Sequence, residues 1–225
     1  MNPTLLIPEQ SQTDTLDASI RTAINDQIEE LMTSLPDRSQ LTSQDRRGII
    51  ARYTAVLEGN FIYWMTATLI AVQGEGARPI LLDNLHEEIR DVHPDMLRRF
   101  AIACHGFPTE QDALAVNEDL TKVRRFLGRL SAVQSLATMA FFEGFIQRFM
   151  GYLADLAVAQ GSSELEYTDV HGVCDIAHSE GLFRAVSIEM SQYPVAADVN
   201  LFEGVDLLGS LLEVIIQGPT PQLAA

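Results

Sequence analysis

The chain has 225 residues, of which 47% are hydrophobic, so it can bury the core of one domain or of two small ones. Its 31 acidic and 15 basic residues give a formal net charge of −16, which disfavours a nucleic-acid backbone or an anionic membrane surface as partner. Two cysteines do not make a disulfide framework, and neither a signal peptide nor an apolar run long enough to span a bilayer is evident. We therefore expect a soluble cytoplasmic protein that binds neither nucleic acid nor membrane.

The first third of the chain has helical periodicity. Residues 1–14 contain two prolines and no periodicity, and are predicted to form a flexible arm. Apolar residues at helical spacing begin near Asp17 and continue to Pro36. A long helix is then predicted from about residue 42 to residue 73, with Glu58 as a lone carboxylate in its apolar second half.

The next segment is rich in acids and histidine. A helix over residues 78–92 carries Glu87 and Glu88, and it is interrupted before Pro94. Proline is favoured at the first position of a helix, so His93 is predicted to be the N-cap of the next one.

The rest of the chain is also predicted to be helical. Further helices are expected over residues 94–105, 118–131, 133–160, 167–192 and 197–217, and residues 218–225 form a tail. Glu143 is a lone carboxylate in an apolar run of the third of these helices, over residues 133–160. No segment has the alternation of a β-strand. The sequence thus predicts an all-α domain over residues 15–217, a single bundle of about seven to nine helices.

Three polar side chains share one face of the helix predicted over residues 167–192. At the helical spacing, His171, Asp175 and His178 fall within an arc of about 60°. Apolar residues surround this stripe, and buried charge next to imidazole requires partners or a metal. The segment therefore predicts a metal site, with a structural histidine pair as the alternative.

The lone glutamates are candidates for the remaining ligands. A carboxylate in an apolar helix must be neutralised, paired with a cation or bound to a metal. Pairing with arginine is the alternative for Glu58 and Glu143. Together with His93 and the acids at 87 and 88, these residues are too many for one ion, and mixed carboxylate and imidazole ligands suit iron, manganese or zinc. Two ions are predicted.

The spacing of these residues resembles a known family. His171-x-x-x-Asp175-x-x-His178 is similar to the third core helix of the heme-oxygenase-like diiron oxidases, which include an alkene-forming fatty-acid decarboxylase and several amine N-oxygenases. Glu58 and Glu143 resemble the first and second core glutamates of that family. The resemblance covers roughly residues 40–190.

The segment from Asn84 to Glu88, with His93 after it, resembles the acidic loop and histidine of the same family. The resemblance implies that Glu88, or its neighbour Glu87, is an extra carboxylate that joins the centre during the reaction.

The resemblance also implies how the ligands divide. One ion would use Glu58, His93, Glu143 and one of the two helix histidines. The other ion would use Glu143, Asp175 and the remaining histidine, and the sequence does not decide which of His171 and His178 that is.

By this resemblance the chain is expected to be a non-heme oxidase with two Fe(II) ions, or a manganese and an iron ion, and O2 as co-substrate. The small-molecule substrate would be an amine, amino acid or fatty acid, which is N-oxygenated, desaturated or cleaved. A homodimer is expected. Five arginines are candidates for binding a substrate carboxylate: Arg124, Arg125, Arg129, Arg148 and Arg184. The alternative is a metal-free binding or partner protein of the same heme-oxygenase-like fold.

Overall fold

The computed structural model describes residues 10–196 and 198–218, which form nine α-helices and no β-strand. The predicted all-α fold is confirmed. In chain order the helices are α1 (Gln10–Thr33), α2 (Ser43–Leu57), α3 (Asn60–Ala71), α4 (Arg78–Arg90), α5 (His93–Ala103), α6 (Glu110–Leu127), α7 (Ala132–Ala159), α8 (Glu166–Gln192) and α9 (Glu203–Gln217).

Helix α7 is the centre of the bundle. It is apolar on nearly every side, and it packs against α1, α2, α3, α8 and α9. The most extensive of these contacts is with α8, to which a short loop joins it. Helices α4 and α5 pack against α8 as well, so that α4, α5, α7 and α8 enclose one interior region.

The prediction of one long helix over residues 42–73 is wrong, because the helix is interrupted at Glu58 and Gly59, between α2 and α3. Gly59 has φ +84°, a left-handed backbone conformation that residues with a Cβ rarely adopt. A Cβ placed there would have no atom within 4 Å, so the glycine serves the backbone turn and does not make room beside a site.

Three other helix limits differ from expectation. Helix α1 begins at Gln10, so residues 10–14 belong to a helix and not to an arm, since no proline interrupts the chain there. Residues 1–9 and the tail from residue 219 onward lie outside the described residues.

Helix α6 starts at Glu110, eight residues before its predicted start, because Thr109 and Asp112 form a reciprocal capping box at its N-terminus. Helix α9 starts at Glu203 and not near residue 197. The Asn200 side chain accepts a hydrogen bond from the Phe202 N–H at 3.0 Å, and this turn precedes the helix.

None of the helices within the described residues combines the length and apolar character needed to cross a membrane.

Candidate metal centre

The three polar side chains of helix α8, His171, Asp175 and His178, point into the interior of the bundle as predicted. His171 and Asp175 are buried, and the His178 side chain is only 9% exposed. All three face the region between α4, α5 and α7, because positions i, i+4 and i+7 of a helix share one side. The helix spans Glu166–Gln192, within one residue of the prediction.

One group of donors forms where α4, α5 and α8 meet. Glu88 Oε1 lies 2.7 Å from His93 Nδ1 and 3.8 Å from His171 Nε2, and all three residues are buried. The two imidazole rings are 4.5 Å apart between centroids. Because one ligand atom of each residue lies within 4.8 Å of the others, a single cation can contact all three.

His93 reaches this group because of a local backbone feature. Val92 adopts a left-handed conformation with φ 57° and is the N-cap of α5. His93, which was predicted to be the N-cap, is instead the first residue of the helix. Pro94 follows as the second residue, where its missing N–H leaves no hydrogen bond unmade. This turn aims the imidazole at Glu88 on the preceding helix.

The tautomer of His171 is fixed by the backbone. Its Nδ1 donates to the Tyr167 carbonyl oxygen at 2.8 Å, which leaves a lone pair on Nε2 facing Glu88. Burial lowers the pKa of His171 to about 4, against a smaller opposite effect of this hydrogen bond. The imidazole is therefore neutral near pH 7, which is the form that binds metals.

Glu88 and His93 form a pair of a different character. Burial raises the pKa of Glu88, while the hydrogen bond to His93 opposes this shift. Burial lowers the pKa of His93, but the contact with Glu88 outweighs it, and the net shift is upward. The two groups share a proton in the absence of a cation.

A second group of donors lies further along α8. His178 Nδ1 is 3.4 Å from Asp175 Oδ1 and 3.7 Å from Glu143 Oε2 on α7. On its other side, His178 Nε2 is 3.3 Å from Glu87 Oε2. Ligand atoms of Cys174, Asp175 and His178 also lie within 4.8 Å of one another.

The second group contains strongly perturbed ionisable side chains. Burial and the charge of Glu143 raise the pKa of Asp175 well above its ordinary value. Burial lowers the pKa of His178, but the Asp175 and Glu143 carboxylates raise it more, and it lies at about 11. These raised pKa values mean that the group retains protons, which a bound cation would displace.

Unpaired polar atoms show that this donor set fits a metal. Asp175 Oδ2 and His178 Nδ1 are buried and make no hydrogen bond among the described residues. An unpaired buried polar atom costs about 1–3 kcal/mol, so Asp175 Oδ2 requires compensation, whereas His178 Nδ1 already has carboxylate oxygens at 3.4 and 3.7 Å. A cation between them would satisfy both.

Glu143 is held by Asn84, for which no separate role was predicted. Asn84 on α4 is buried, and its Nδ2 donates to Glu143 Oε1 at 2.8 Å. Asn84 lies four residues before Glu88, so both side chains leave the same face of α4, and this spacing is the signal that could have identified it.

Glu58 is not brought into either group. It caps the C-terminus of α2, and its carboxylate is paired with Arg98 on α5, whose Nε lies 3.0 Å from Glu58 Oε1. Glu143, in contrast, has an asparagine and a histidine as its neighbours. Of the two glutamates for which arginine pairing was the alternative, only Glu58 is paired with an arginine. The other expected ligands come together in the two donor groups.

A small cavity of about 30 Å³ joins the donors to the apolar core. Its polar lining comes from Glu88, His93, Glu143, His171 and Asp175. Its apolar lining comes from Leu57, Phe61, Ile62, Pro94, Leu97, Phe142, Ile146 and Tyr167. This volume has room for ions or one or two waters, with side chains that exclude further solvent.

Two buried tyrosines close the cavity behind His171. The Tyr167 ring lies 4.2 Å from the His171 ring between centroids, and its hydroxyl is 2.8 Å from the Tyr53 hydroxyl. Burial raises the pKa of both phenols, so both remain protonated. The pair fixes the position of the His171 ring, and no sequence spacing indicated it.

The five candidate arginines are all exposed, and none of them lines the cavity. Three have other partners: Arg124 contacts Asn60, Arg129 contacts Glu203 and Arg148 contacts Glu29. The cavity thus contains acids and imidazoles but none of these cations.

Comparison with known proteins identifies a family for the chain. A family model described as iron-containing redox enzyme, and named for heme oxygenase, matches residues 50–202. The match covers more than half of the chain and includes α4, α5, α7 and α8 entirely. No match to a curated protein was found. The chain therefore belongs to the iron-containing redox enzyme family, has its heme-oxygenase-like all-α fold and is an oxidoreductase.

Proposed function

We propose that the protein is a non-heme oxidase that holds two iron ions and uses O2 to oxidise a small organic molecule. The observation that carries the proposal is the convergence of two donor groups on one cavity, with the buried Asp175 Oδ2 in the second group lacking a hydrogen-bond partner among the described residues. Buried carboxylates and neutral imidazoles are ligands that iron prefers.

The geometry favours one division of the ligands. His171 lies with His93 and Glu88, and these residues would hold the first ion. His178 lies with Asp175 and Glu143, and these would hold the second. Glu88 is preferred over Glu87 as the carboxylate of the first position, because Glu88 is buried and lines the cavity whereas Glu87 is half-buried.

Glu58 would act as a ligand only after release from Arg98, which lies on the helix that His93 begins. A movement of α5 would thus change the surroundings of Glu58 and His93 together.

Bound iron would supply the site for O2 reduction and for substrate oxidation. The residues around it have separate tasks. Asn84 orients Glu143, the Tyr167 carbonyl orients His171, and the contact between Glu88 and His93 holds these two side chains toward each other. Phe61 and Phe142 pack 5.7 Å apart between centroids and exclude water from the cavity.

The substrate class is proposed on the expectation from the family resemblance: an amine, an amino acid or a fatty acid. Because the cavity is small, the substrate would enter by displacing apolar side chains such as Phe61 and Ile62 from its wall.

The proposal is tested by O2 uptake. Protein loaded with Fe(II) under anaerobic conditions should consume O2 on mixing and give a transient change in the visible spectrum. His171→Ala should lose most of this uptake, whereas His86→Ala, a change of an exposed histidine on α4, should retain it. Equal uptake by wild type and His171→Ala would contradict the proposal.

A further inference from the structure

A thiol lies beside the second donor group. Cys174 directly precedes Asp175 on α8 and is half-buried, and its Sγ donates to Asp175 Oδ1 at 3.3 Å. Its Sγ, a carboxylate oxygen of Asp175 and a ring nitrogen of His178 are all within 4.8 Å of one another. Cys174 and His178 are four residues apart, and this spacing lets both side chains reach one point beside the helix.

We propose that the Cys174 thiolate is a ligand of the second ion, together with Asp175 and His178, and that it makes this position select iron over manganese. This inference rests on the proposed function, since it concerns one of the two positions described there. It adds a ligand to the set implied by the family resemblance.

The unpaired atoms point independently to a ligand at this place. Asp175 is 1% exposed, and its Oδ2 has no hydrogen-bond partner among the described residues. His178 Nδ1, in the same cluster, also has none. The thiol contacts Oδ1 and leaves Oδ2 available, and one oxygen of Asp175, a ring nitrogen of His178 and the sulfur lie close enough together to share a cation.

The second cysteine provides a contrast within the same chain. Cys104, at the C-terminus of α5, is fully buried, and its Sγ donates to the Phe100 carbonyl oxygen at 2.8 Å. That contact satisfies the thiol within an apolar core. Cys174 is half-buried and contacts a carboxylate instead of a backbone carbonyl.

The chemistry balances without an oxidant. When the metal binds, the S–H bond breaks, its proton leaves to solvent, and a sulfur–metal bond forms with no change in oxidation state. Thiolate is a softer ligand than carboxylate and favours Fe(II), Co(II) and Zn(II), whereas Mn(II) prefers oxygen ligands. A thiolate at one position would therefore make the two positions unequal in metal preference.

The test is an anaerobic titration of the full chain with Co(II). Bound cobalt gives visible ligand-field bands, and a cobalt–thiolate bond adds a charge-transfer band in the near ultraviolet. Wild type should have both. Cys174→Ser should keep the ligand-field bands, lose the charge-transfer band and bind Co(II) about 10- to 100-fold more weakly at one position. Its Mn(II) affinity should fall by a smaller factor.

Cys104→Ser is the matched control and should leave both sets of bands unchanged. Ligand-field bands without a charge-transfer band in wild type, or a charge-transfer band that persists in Cys174→Ser, would overturn the role of Cys174 and leave the metal centre standing. No binding of Co(II) at all would overturn both the further inference and the proposed function.

A second readout uses wild-type protein and does not depend on the folding of a variant. Iodoacetamide should modify Cys174 in the metal-free protein and fail to do so after Co(II) is bound, as read by mass spectrometry. Cys104 should stay unmodified in both samples because it is fully buried. Equal modification of Cys174 with and without cobalt would contradict the proposal.

Discussion

At the scale of single residues, Asp175 is the strongest candidate for a metal ligand, because it is buried and its Oδ2 has no hydrogen-bond partner among the described residues. Asp175→Asn keeps the shape and removes the charge, so iron binding at the second position should weaken by at least about tenfold. Metal content by atomic absorption checks this. In metal-free protein the free energy of unfolding should fall by less than about 0.5 kcal/mol or rise, because a buried ionisable carboxyl is lost.

Asp169→Asn is the control, since Asp169 is an exposed acid on the same helix. Equal iron content in Asp175→Asn and Asp169→Asn would exclude Asp175 as a ligand.

Asn84 acts through Glu143 and is a positioning residue. Asn84→Leu removes the donor to Glu143 Oε1, and we expect Co(II) affinity to fall about 10- to 100-fold, as is usual when a partner of a metal ligand is lost. The changed surroundings of Glu143 should also shift the ligand-field bands of bound cobalt. Asn117→Leu, at an exposed position of α6, is the control. Unchanged bands in Asn84→Leu would mean that Glu143 needs no orienting partner.

The sequence predicted the direction of individual side chains well where helical spacing alone decides it. His171, Asp175 and His178 converge because a regular helix fixes their common face. Glu58 was expected inside a long helix, but it lies at the break between α2 and α3. A lone acid in an apolar run does not indicate such a break. Its partner Arg98 is 40 residues away, and such long-range pairing depends on how α2 and α5 pack.

At the scale of elements, the break between α2 and α3 depends on one glycine. Gly59→Ala should lower the free energy of unfolding by about 1–2 kcal/mol, because alanine is strained at a left-handed φ. Urea unfolding measures this. Gly151→Ala on α7 is the matched change: it also has no atom near its Cβ, but its φ is ordinary. It should stabilise the protein by about 0.5–1 kcal/mol.

Equal effects of these two substitutions would mean that the conformation at Gly59 costs nothing. Gly144, which lies inside α7 and also follows a glutamate, has a different role. A Cβ there would lie 2.9 Å from Ile28 Cδ1, so it permits close approach of α1 to α7. Both glycines follow a glutamate in an apolar segment, yet Gly59 allows a backbone turn and Gly144 allows two helices to approach closely. The local sequence does not distinguish these two requirements.

The N-terminus of α6 provides a pH-dependent contribution to stability. Burial raises the pKa of Asp112, but hydrogen bonds from Arg47 and Thr109 outweigh it and hold the pKa at about 2. The ordinary value is 3.8, so this contribution is fully present above about pH 4 and is lost as the pH falls through 2. Asp112→Asn should lower the free energy of unfolding at pH 6 by about 1–2 kcal/mol, a modest effect because Arg47 is partly exposed.

Denaturant unfolding from pH 6 to pH 2 should give a difference between wild type and Asp112→Asn that shrinks below pH 4. A difference that stays constant over this range would show that the charge of Asp112 contributes nothing.

At the scale of the whole molecule, the bundle packs four helices around a charged interior. The all-α architecture was predictable because helical periodicity runs through the chain without strand-like alternation. The limits of α6 and α9 were less predictable, since a capping box and a side-chain turn set them locally. The homodimer and the cytoplasmic location remain predictions.

The buried donors make folding and metal binding interdependent. A ligand present at about 100 times its dissociation constant stabilises the native state by about 2.7 kcal/mol. Fe(II), added without O2, should therefore raise the midpoint of thermal unfolding, and a chelator should reverse the rise. Calorimetry of wild type and His178→Ala checks this, with a smaller rise expected for the variant. A midpoint insensitive to iron in wild type would favour the metal-free binding protein.

The central claim is that Glu88, His93, Glu143, His171, Asp175 and His178 hold two iron ions. The most direct measurement is the iron content per chain after anaerobic reconstitution and removal of unbound metal. We predict a value near two for wild type, falling to about one or less for Asp175→Asn, in line with the loss expected when a metal ligand is removed. A value near zero for wild type, or the same value in both proteins, would contradict the claim.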